Sequence, residues 1–153
     1  MENKNFKKLF SNIARASGFE EAFSGWFKES NECIVSLGLQ KSNYGNYYYL
    51  NIKIYVNGVF DRNYMKSKEL VNKEIGNIFR RQPKEYEIVL NLETQMEDDE
   101  RKQRLESLFS KFLVPFTNKA LTRLGIKELA QNNEIALLPA VKKELNEKMG
   151  LAI

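Results

Sequence analysis

The fold follows from a stretch in the first half of the chain: CIVSLGLQK (residues 33–41), SNYGN (42–46) and YYYLNIKIYV (47–56). In the two outer segments apolar residues alternate with polar or small ones, which is the period of a strand with one buried face. The middle segment is rich in Ser, Asn and Gly, which favour turns. Together the three segments predict an antiparallel β-hairpin.

The alternation divides the predicted strands into two faces, because successive side chains of a strand point to opposite sides. We expect one face to form the core, and it holds Val35, Leu37, Leu39, Leu50, Ile52, Ile54, Val56, Ile88, Leu90 and Leu92. The opposite face, called the second face below, holds Ser36, Gly38, Gln40, Tyr47, Tyr49, Asn51, Lys53, Tyr55 and Asn91. Phenols, amides and small residues dominate it, whereas a face that only contacts water usually carries Lys, Glu and Thr.

Local signals predict the elements on either side of the hairpin. Helical periods predict helices over about 4–17, from the N-cap Ser67 to Pro83, from 97 to a bend at Pro115, and over 126–132 and 139–149. Aromatic residues predict a further strand over 23–28, and alternation predicts another over 86–92. We therefore expect a single α+β domain over residues 1–153, with an antiparallel sheet of about four strands. The N-terminal helix and the C-terminal helices would pack on the apolar face of that sheet.

The composition excludes several kinds of catalytic site. The 153 residues include no His and one Cys, which excludes Ser-His-Asp and Cys-His catalysis, a four-cysteine zinc site and a thiolate-held iron–sulfur cluster. Cys33 lies on the expected core face, so an unreactive buried thiol is predicted. No Gly-rich nucleotide motif and no calcium loop occurs. We expect no metal, no cofactor and no enzymatic activity, although a catalyst built from carboxylates, Tyr or Lys stays open.

Two features of the charge distribution are informative. The run EDDE (97–100) followed by RKQR (101–104) is interpreted as structural, because on a helix it forms the i,i+4 pairs Glu97–Arg101, Asp98–Lys102 and Glu100–Arg104. Lys+Arg number 24 against 20 Asp+Glu, and between Asp61 and Lys84 seven basic residues face three acidic ones. The longest apolar stretch, 135–141, is too short to cross a membrane, so we expect a cytoplasmic protein without membrane contact.

The candidate binding site lies on the second face and in the hairpin turn. It comprises Gln40, Lys41, Ser42, Tyr44, Tyr47, Tyr49, Asn51 and Tyr55. A phenol ring supplies contact area and an amide supplies directional hydrogen bonds, so this combination is typical of a surface that recognises a ligand or partner. The alternative is that Tyr is present for its β-propensity and that the last helices cover this face too.

Several short motifs resemble those of the bacterial domain-of-unknown-function family 4304. They are Leu9-Phe10, Gly18-Phe19, Trp26-Phe27, LQKS (39–42), YLNI (49–52) and ALLPAVK (136–142). The resemblance implies an α+β domain in a small bacterial protein with no established reaction. It also implies an accessory or immunity-type role, which favours binding over catalysis.

Two functional hypotheses remain. The first is a non-enzymatic module that holds a partner protein, such as a toxin domain, on the second face. The second is a weak nucleic-acid binder, in which Tyr47, Tyr49 and Tyr55 stack on bases while the basic segment 62–84 contacts phosphates. An enzyme that uses carboxylates ranks third, and the oligomeric state stays open.

Overall fold

The computed structural model of the protein describes residues 1–149 and has an α+β fold. Its helices are α1 (Asn3–Ala16), α2 (Lys68–Asn72), α3 (Glu87–Leu90), α4 (Asp98–Ser107), α5 (Val114–Ala120), α6 (Arg123–Gln131) and α7 (Pro139–Met149). Its strands are β1 (Glu20–Ala22), β2 (Gly25–Glu29), β3 (Cys33–Lys41), β4 (Tyr48–Val56) and β5 (Ile78–Arg81). A π-helical segment, Leu108–Leu113, joins α4 to α5, where Pro115 cannot donate a backbone hydrogen bond.

The five strands form one antiparallel sheet in the order β1-β2-β3-β4-β5. The predicted hairpin is confirmed as β3 and β4, in a register that pairs Leu37 with Ile52 and Leu39 with Leu50. The sheet has five strands where about four were expected. The strands that the sequence did not predict are β1 and β5, which have only three and four residues and are too short to show an alternation. The strand predicted over 23–28 begins at Gly25, after a two-residue loop.

The core lies between the apolar face of the sheet and the helices, as predicted. Phe10 of α1 packs against the Trp26 ring of β2, with ring centroids 4.7 Å apart, and against Phe109 of the π-helical segment at 5.1 Å. The expected core residues Val35, Leu37, Leu50, Ile52, Ile54, Val56 and Leu90 are buried. Of the other three, Leu39 and Leu92 are partly buried against the core, and Ile88 is 41% exposed.

The helix predicted from Ser67 to Pro83 is wrong beyond its first turns. Ser67 does act as N-cap, and its side chain accepts the Leu70 N–H, but α2 ends at Asn72. Gly76 then adopts a positive φ of 84°, which turns the chain back to the sheet. The segment Ile78–Arg81 pairs with β4 as an edge strand, because the free edge of β4 satisfies its backbone groups.

The strand predicted over 86–92 is also wrong. A 3₁₀ turn (Lys84–Tyr86) leads into α3, and an isolated bridge between Tyr47 and Asn91 is the remaining sheet contact. Since β5 already occupies the edge of β4, this segment buries Val89 and Leu90 from a helical turn instead.

The charged helix forms as α4, but Arg101 does not make the expected surface pair with Glu97. Its side chain is 1% exposed and donates to the backbone oxygens of Val89, Asn91 and Thr94 at 2.7, 3.2 and 2.8 Å. Arg101 therefore anchors the segment that connects α3 to α4. Within residues 1–149, none of the helices combines the length and the apolar character that crossing a membrane requires.

Candidate functional site

The second face of the sheet is divided into a covered half and an open half. Helix α2 lies across β2 and β3, where Val71 approaches two glycines. A Cβ on Gly25 would lie 2.9 Å from Val71 Cγ2, and one on Gly38 would lie 3.5 Å from Val71 Cγ1. The absence of a side chain at Gly25 therefore permits the close seating of α2.

The covered half is a small second core. Phe27, Ile34, Tyr55, Tyr64, Leu70 and Val71 form this cluster. The Tyr55 hydroxyl donates to Leu70 O at 2.7 Å, and Lys53 Nζ donates to Val71 O at 2.8 Å. Burial raises the pKa of Tyr55 and lowers the pKa of Lys53. Tyr55, a predicted binding residue, is fully buried. It is covered by α2 and its flanking segment, and not by the C-terminal helices as the alternative expected.

The open half carries a hydrogen-bonded set of three side chains from three neighbouring strands, here called the donor patch: Gln40, Asn51 and Arg81. Asn51 Nδ2 donates to Gln40 Oε1 at 2.9 Å. Arg81 Nε donates to Asn51 Oδ1 at 3.1 Å, and Arg81 Nη2 donates to Gln40 Oε1 at 3.4 Å. The register brings the three side chains together. Asn51 pairs with Arg81 on one side and with Gly38 on the other, and Gln40 lies two residues after Gly38 on the same face of β3, diagonally opposite Asn51.

The guanidinium fixes the orientation of both amides. Since Arg has donors and no acceptor, the oxygens of Gln40 and Asn51 must point toward Arg81. Both amide oxygens are thereby engaged within the patch, while the amide nitrogen of Gln40 and the Nη1 of Arg81 make no hydrogen bond to the described residues. The patch therefore offers N–H groups to the solvent and attracts an acceptor, above all an anion.

Two tyrosines border the donor patch. The guanidinium carbon of Arg81 lies 4.1 Å from the centroid of the Tyr49 ring, and Tyr47 packs edge-on against Tyr49 at 5.7 Å. A hydrogen bond with Ser42 lowers the pKa of Tyr47, and a hydrogen bond with Tyr47 raises the pKa of Tyr49. One face of Tyr49 is thus occupied by the cation.

The remaining predicted site residues belong to the hairpin turn. Ser42 is 8% exposed and its hydroxyl accepts the Tyr44 N–H at 3.0 Å, so it shapes the turn. Tyr44 is 93% exposed, and Lys41 is exposed at the end of β3. These residues extend the surface beyond the patch without contacting its hydrogen-bond network.

A groove of about 480 Å³, here called the sheet groove, runs beside the donor patch along α2. Its lining includes Gly38, Asn51 and Arg81 together with Ile75 and Phe79. Ile75 is 72% and Phe79 44% exposed, which provides apolar contact area next to the donors. The sheet groove thus combines hydrogen-bond donors with exposed apolar side chains.

Sequence reasoning missed Arg81, Phe79 and Ile75, since it assigned their segment to a helix. The excess of basic residues between 61 and 84 was the signal that pointed to this region. Arg80, one residue earlier, points to the core face instead, where it lies 4.7 Å from the Phe112 ring centroid and donates to Glu134 O at 3.1 Å. Strand geometry thus gives the two arginines different roles.

Groups suited to chemistry do not converge on this surface. In the described part of the chain, no three His, Cys, Asp or Glu side chains lie close enough together to hold a metal ion. Glu74 lines the sheet groove, but Arg62 Nη1 binds its carboxylate at 2.9 Å. Cys33 is buried, and burial raises the pKa of its thiol to about 12.

Residues 10–119 match the family model described as "Domain of unknown function (DUF4304)". The match covers more than half of the chain, so the chain belongs to this family. The resemblance to this family is thereby confirmed, over residues that do not include the motif at 136–142. No curated protein and no solved structure shows significant similarity to the chain.

Proposed function

We propose that this DUF4304 member is a non-enzymatic module that binds a partner protein through the donor patch, with an acidic side chain of the partner on Arg81. The observation that supports the proposal is that both amide oxygens accept hydrogen bonds within the patch, whereas the amide nitrogen of Gln40 and Nη1 of the exposed Arg81 have no partner among the described residues. A carboxylate accepts such donors in pairs.

Exposure and rigidity support the same role for Arg81. Its side chain is exposed, and no acidic residue of the described part of the chain forms an ion pair with it. The hydrogen bonds to Asn51 and Gln40 and the contact with Tyr49 hold the guanidinium in place. A partner therefore meets a preorganised cation, which reduces the entropy lost on binding.

The nucleic-acid alternative has weaker support. It needs tyrosine rings with free faces, because bases stack on aromatic faces. Tyr55 is buried, Tyr49 is covered on one side by Arg81, and Tyr47 packs against Tyr49. The basic segment 62–84 is the remaining argument for nucleic-acid binding, but an acidic protein surface would bind to that segment equally well.

The proposal places the protein in a bacterial cytoplasm, where a buried free thiol such as Cys33 stays reduced.

Fluorescence anisotropy tests the proposal with two kinds of labelled probe. The first is a set of acidic peptides, and the second is single-stranded RNA of mixed sequence. The variants are Arg81→Gln and the control Arg104→Gln, since Arg104 is a partly exposed arginine of α4 paired with Glu100. We expect acidic peptides to bind and Arg81→Gln to weaken them about tenfold or more, the loss of a charge-assisted hydrogen-bonded pair. Arg104→Gln should match the wild type.

Two outcomes overturn the proposal. One is that Arg81→Gln binds every acidic peptide as the wild type does. The other is that only RNA binds, with an affinity that falls steeply between low and moderate salt, which is the signature of counterion release from phosphates.

A further inference from the structure

A second groove of about 450 Å³, here called the helix groove, lies between α1 and the ends of the first strands. Lys7, Lys8 and Arg15 of α1 line it, and Trp26 contributes to its wall. All three cations are exposed. The acid of this groove, Glu21, accepts a hydrogen bond from Ser11, whose oxygen in turn accepts the Trp26 indole N–H at 3.1 Å. The helix groove therefore has a surplus of positive charge.

The helix groove and the sheet groove are adjacent. Ser24 and Leu39 line both of them. These two residues lie where the β1–β2 loop approaches the end of β3, at the rim of the sheet. A chain that leaves one groove over this rim enters the other directly.

The β1–β2 loop at this rim is strained. Ala22 pairs with Gly25, so the loop contains only Phe23 and Ser24, and their φ angles are 54° and 61°. Two-residue hairpin loops with positive φ favour Asn-Gly, because side chains such as Phe are disfavoured there. Phe23 is nevertheless 52% exposed. The two-residue loop requires positive φ at this position but does not require an aromatic residue, and an exposed ring on strained backbone is a feature of functional sites.

We infer that the two grooves form one continuous binding site, here called the track, for an extended acidic segment of the partner protein. This inference rests on the proposed function. The segment places one carboxylate on Arg81 and others near Lys7, Lys8 and Arg15, and it crosses the rim at Ser24 and Leu39. Lys73 and Arg81 line the sheet groove, and its Glu74 is bound by Arg62, so both grooves carry an excess of positive charge that favours an acidic segment. Connecting the two contacts in one chain gives higher affinity than either contact alone, because the second binds intramolecularly.

Peptide length tests the track. The probes are two labelled acidic peptides that bind in the array, one of about 4 residues and one of about 12, since an extended chain rises about 3.3 Å per residue. The variants are Arg81→Gln, the pair Lys7→Gln/Lys8→Gln, and the control pair Lys142→Gln/Lys143→Gln. The control pair also consists of two adjacent exposed lysines on a helix.

We expect the long peptide to bind about tenfold or more tightly than the short one. The Lys7/Lys8 variant should lose this advantage while binding the short peptide normally, and the Lys142/Lys143 variant should keep it. Equal affinity of both peptides, or an equal loss in the two lysine variants, overturns the track. If Arg81→Gln still weakens the short peptide in that case, the proposed function stands without the track. If Arg81→Gln changes neither peptide, both fall.

Discussion

Arg81 lies over Tyr49, with its guanidinium carbon 4.1 Å from the centroid of the phenol ring. A cation at this distance is attracted by the electron-rich face of the ring, and the contact contributes about 0.5–1 kcal/mol at an exposed site. Tyr49 thus helps to hold Arg81 beside Asn51 and Gln40. In the proposed function, Tyr49 contributes to binding by positioning this cation.

Substitution of Tyr49 tests this positioning role. Tyr49→Phe keeps the ring and should bind the short acidic peptide as the wild type does. Tyr49→Leu removes the ring face, so we expect weaker binding by about two- to fivefold, which corresponds to a cation–π contact of this size. Anisotropy titrations measure both. Equal loss in the two variants would assign the effect to the hydroxyl group instead of the ring.

Substitution of Arg101 should destabilise the protein strongly. Arg101→Met retains the apolar stem but leaves the oxygens of Val89 and Thr94 without their donor. We expect the free energy of unfolding to fall by about 2–4 kcal/mol, measured by urea titration. Arg104→Met, on the exposed side of the same helix, should change it by less than about 0.5 kcal/mol. Similar values for both variants would show that Arg101 does not anchor the α3–α4 segment.

The two glycines under α2 should respond differently to the same substitution. Gly25→Ala places a Cβ 2.9 Å from both Leu37 O and Val71 Cγ2, so we expect a loss of about 1–3 kcal/mol as α2 is displaced. Gly38→Ala meets Val71 Cγ1 at 3.5 Å, which is ordinary contact, and should cost much less. Thermal unfolding compares the two. The reverse order would contradict the seating of α2 on β2.

Stability should decline in alkaline solution. Burial raises the pKa of Cys33 from 9.0 to about 12 and also raises the pKa of Tyr55. Below the unfolded-state values both groups are protonated in either state, so their stabilising contribution is complete. Above about pH 9 the unfolded chain releases these protons while the folded chain retains them, and the free energy of unfolding falls.

Urea titrations at about pH 8 and pH 10.5 measure this decline. The double variant Cys33→Ala/Tyr55→Phe should show a shallower loss between the two pH values than the wild type, although it is less stable at both. Tyr64→Phe serves as the comparison, because Tyr64 contacts Tyr55 with ring centroids 5.2 Å apart. An unchanged slope in the double variant would assign the alkaline transition to other groups.

Relief of the β1–β2 loop should stabilise the protein. Phe23→Asn/Ser24→Gly supplies residues that adopt positive φ readily, so we expect a gain of about 1–2 kcal/mol in the free energy of unfolding. Phe23→Ala/Ser24→Ala removes the ring without relieving the strain and should give no gain. Thermal unfolding distinguishes them. A gain in both variants would trace the effect to loss of the exposed ring.

The hairpin could be predicted because its evidence is local. The alternation over 33–41 and 47–56 identifies both strands and both faces without reference to any other segment. The segment 78–81 lacked such evidence, since four residues are too few to show a period. Its conformation depends on the unpaired edge of β4, which is distant in the chain from the residues that set the helical pattern after Ser67.

Local pattern therefore established the α+β class, the hairpin, the core face and the character of the second face. Contacts between distant segments settled which part of that face is accessible. Tyr49 and Tyr55 share a residue type, a strand and a face, yet Tyr55 is buried under α2 and Tyr49 borders the donor patch. Alternation records the direction in which a side chain points. What covers that side chain depends on the docking of α2 and on the pairing that brings Arg81 beside Asn51.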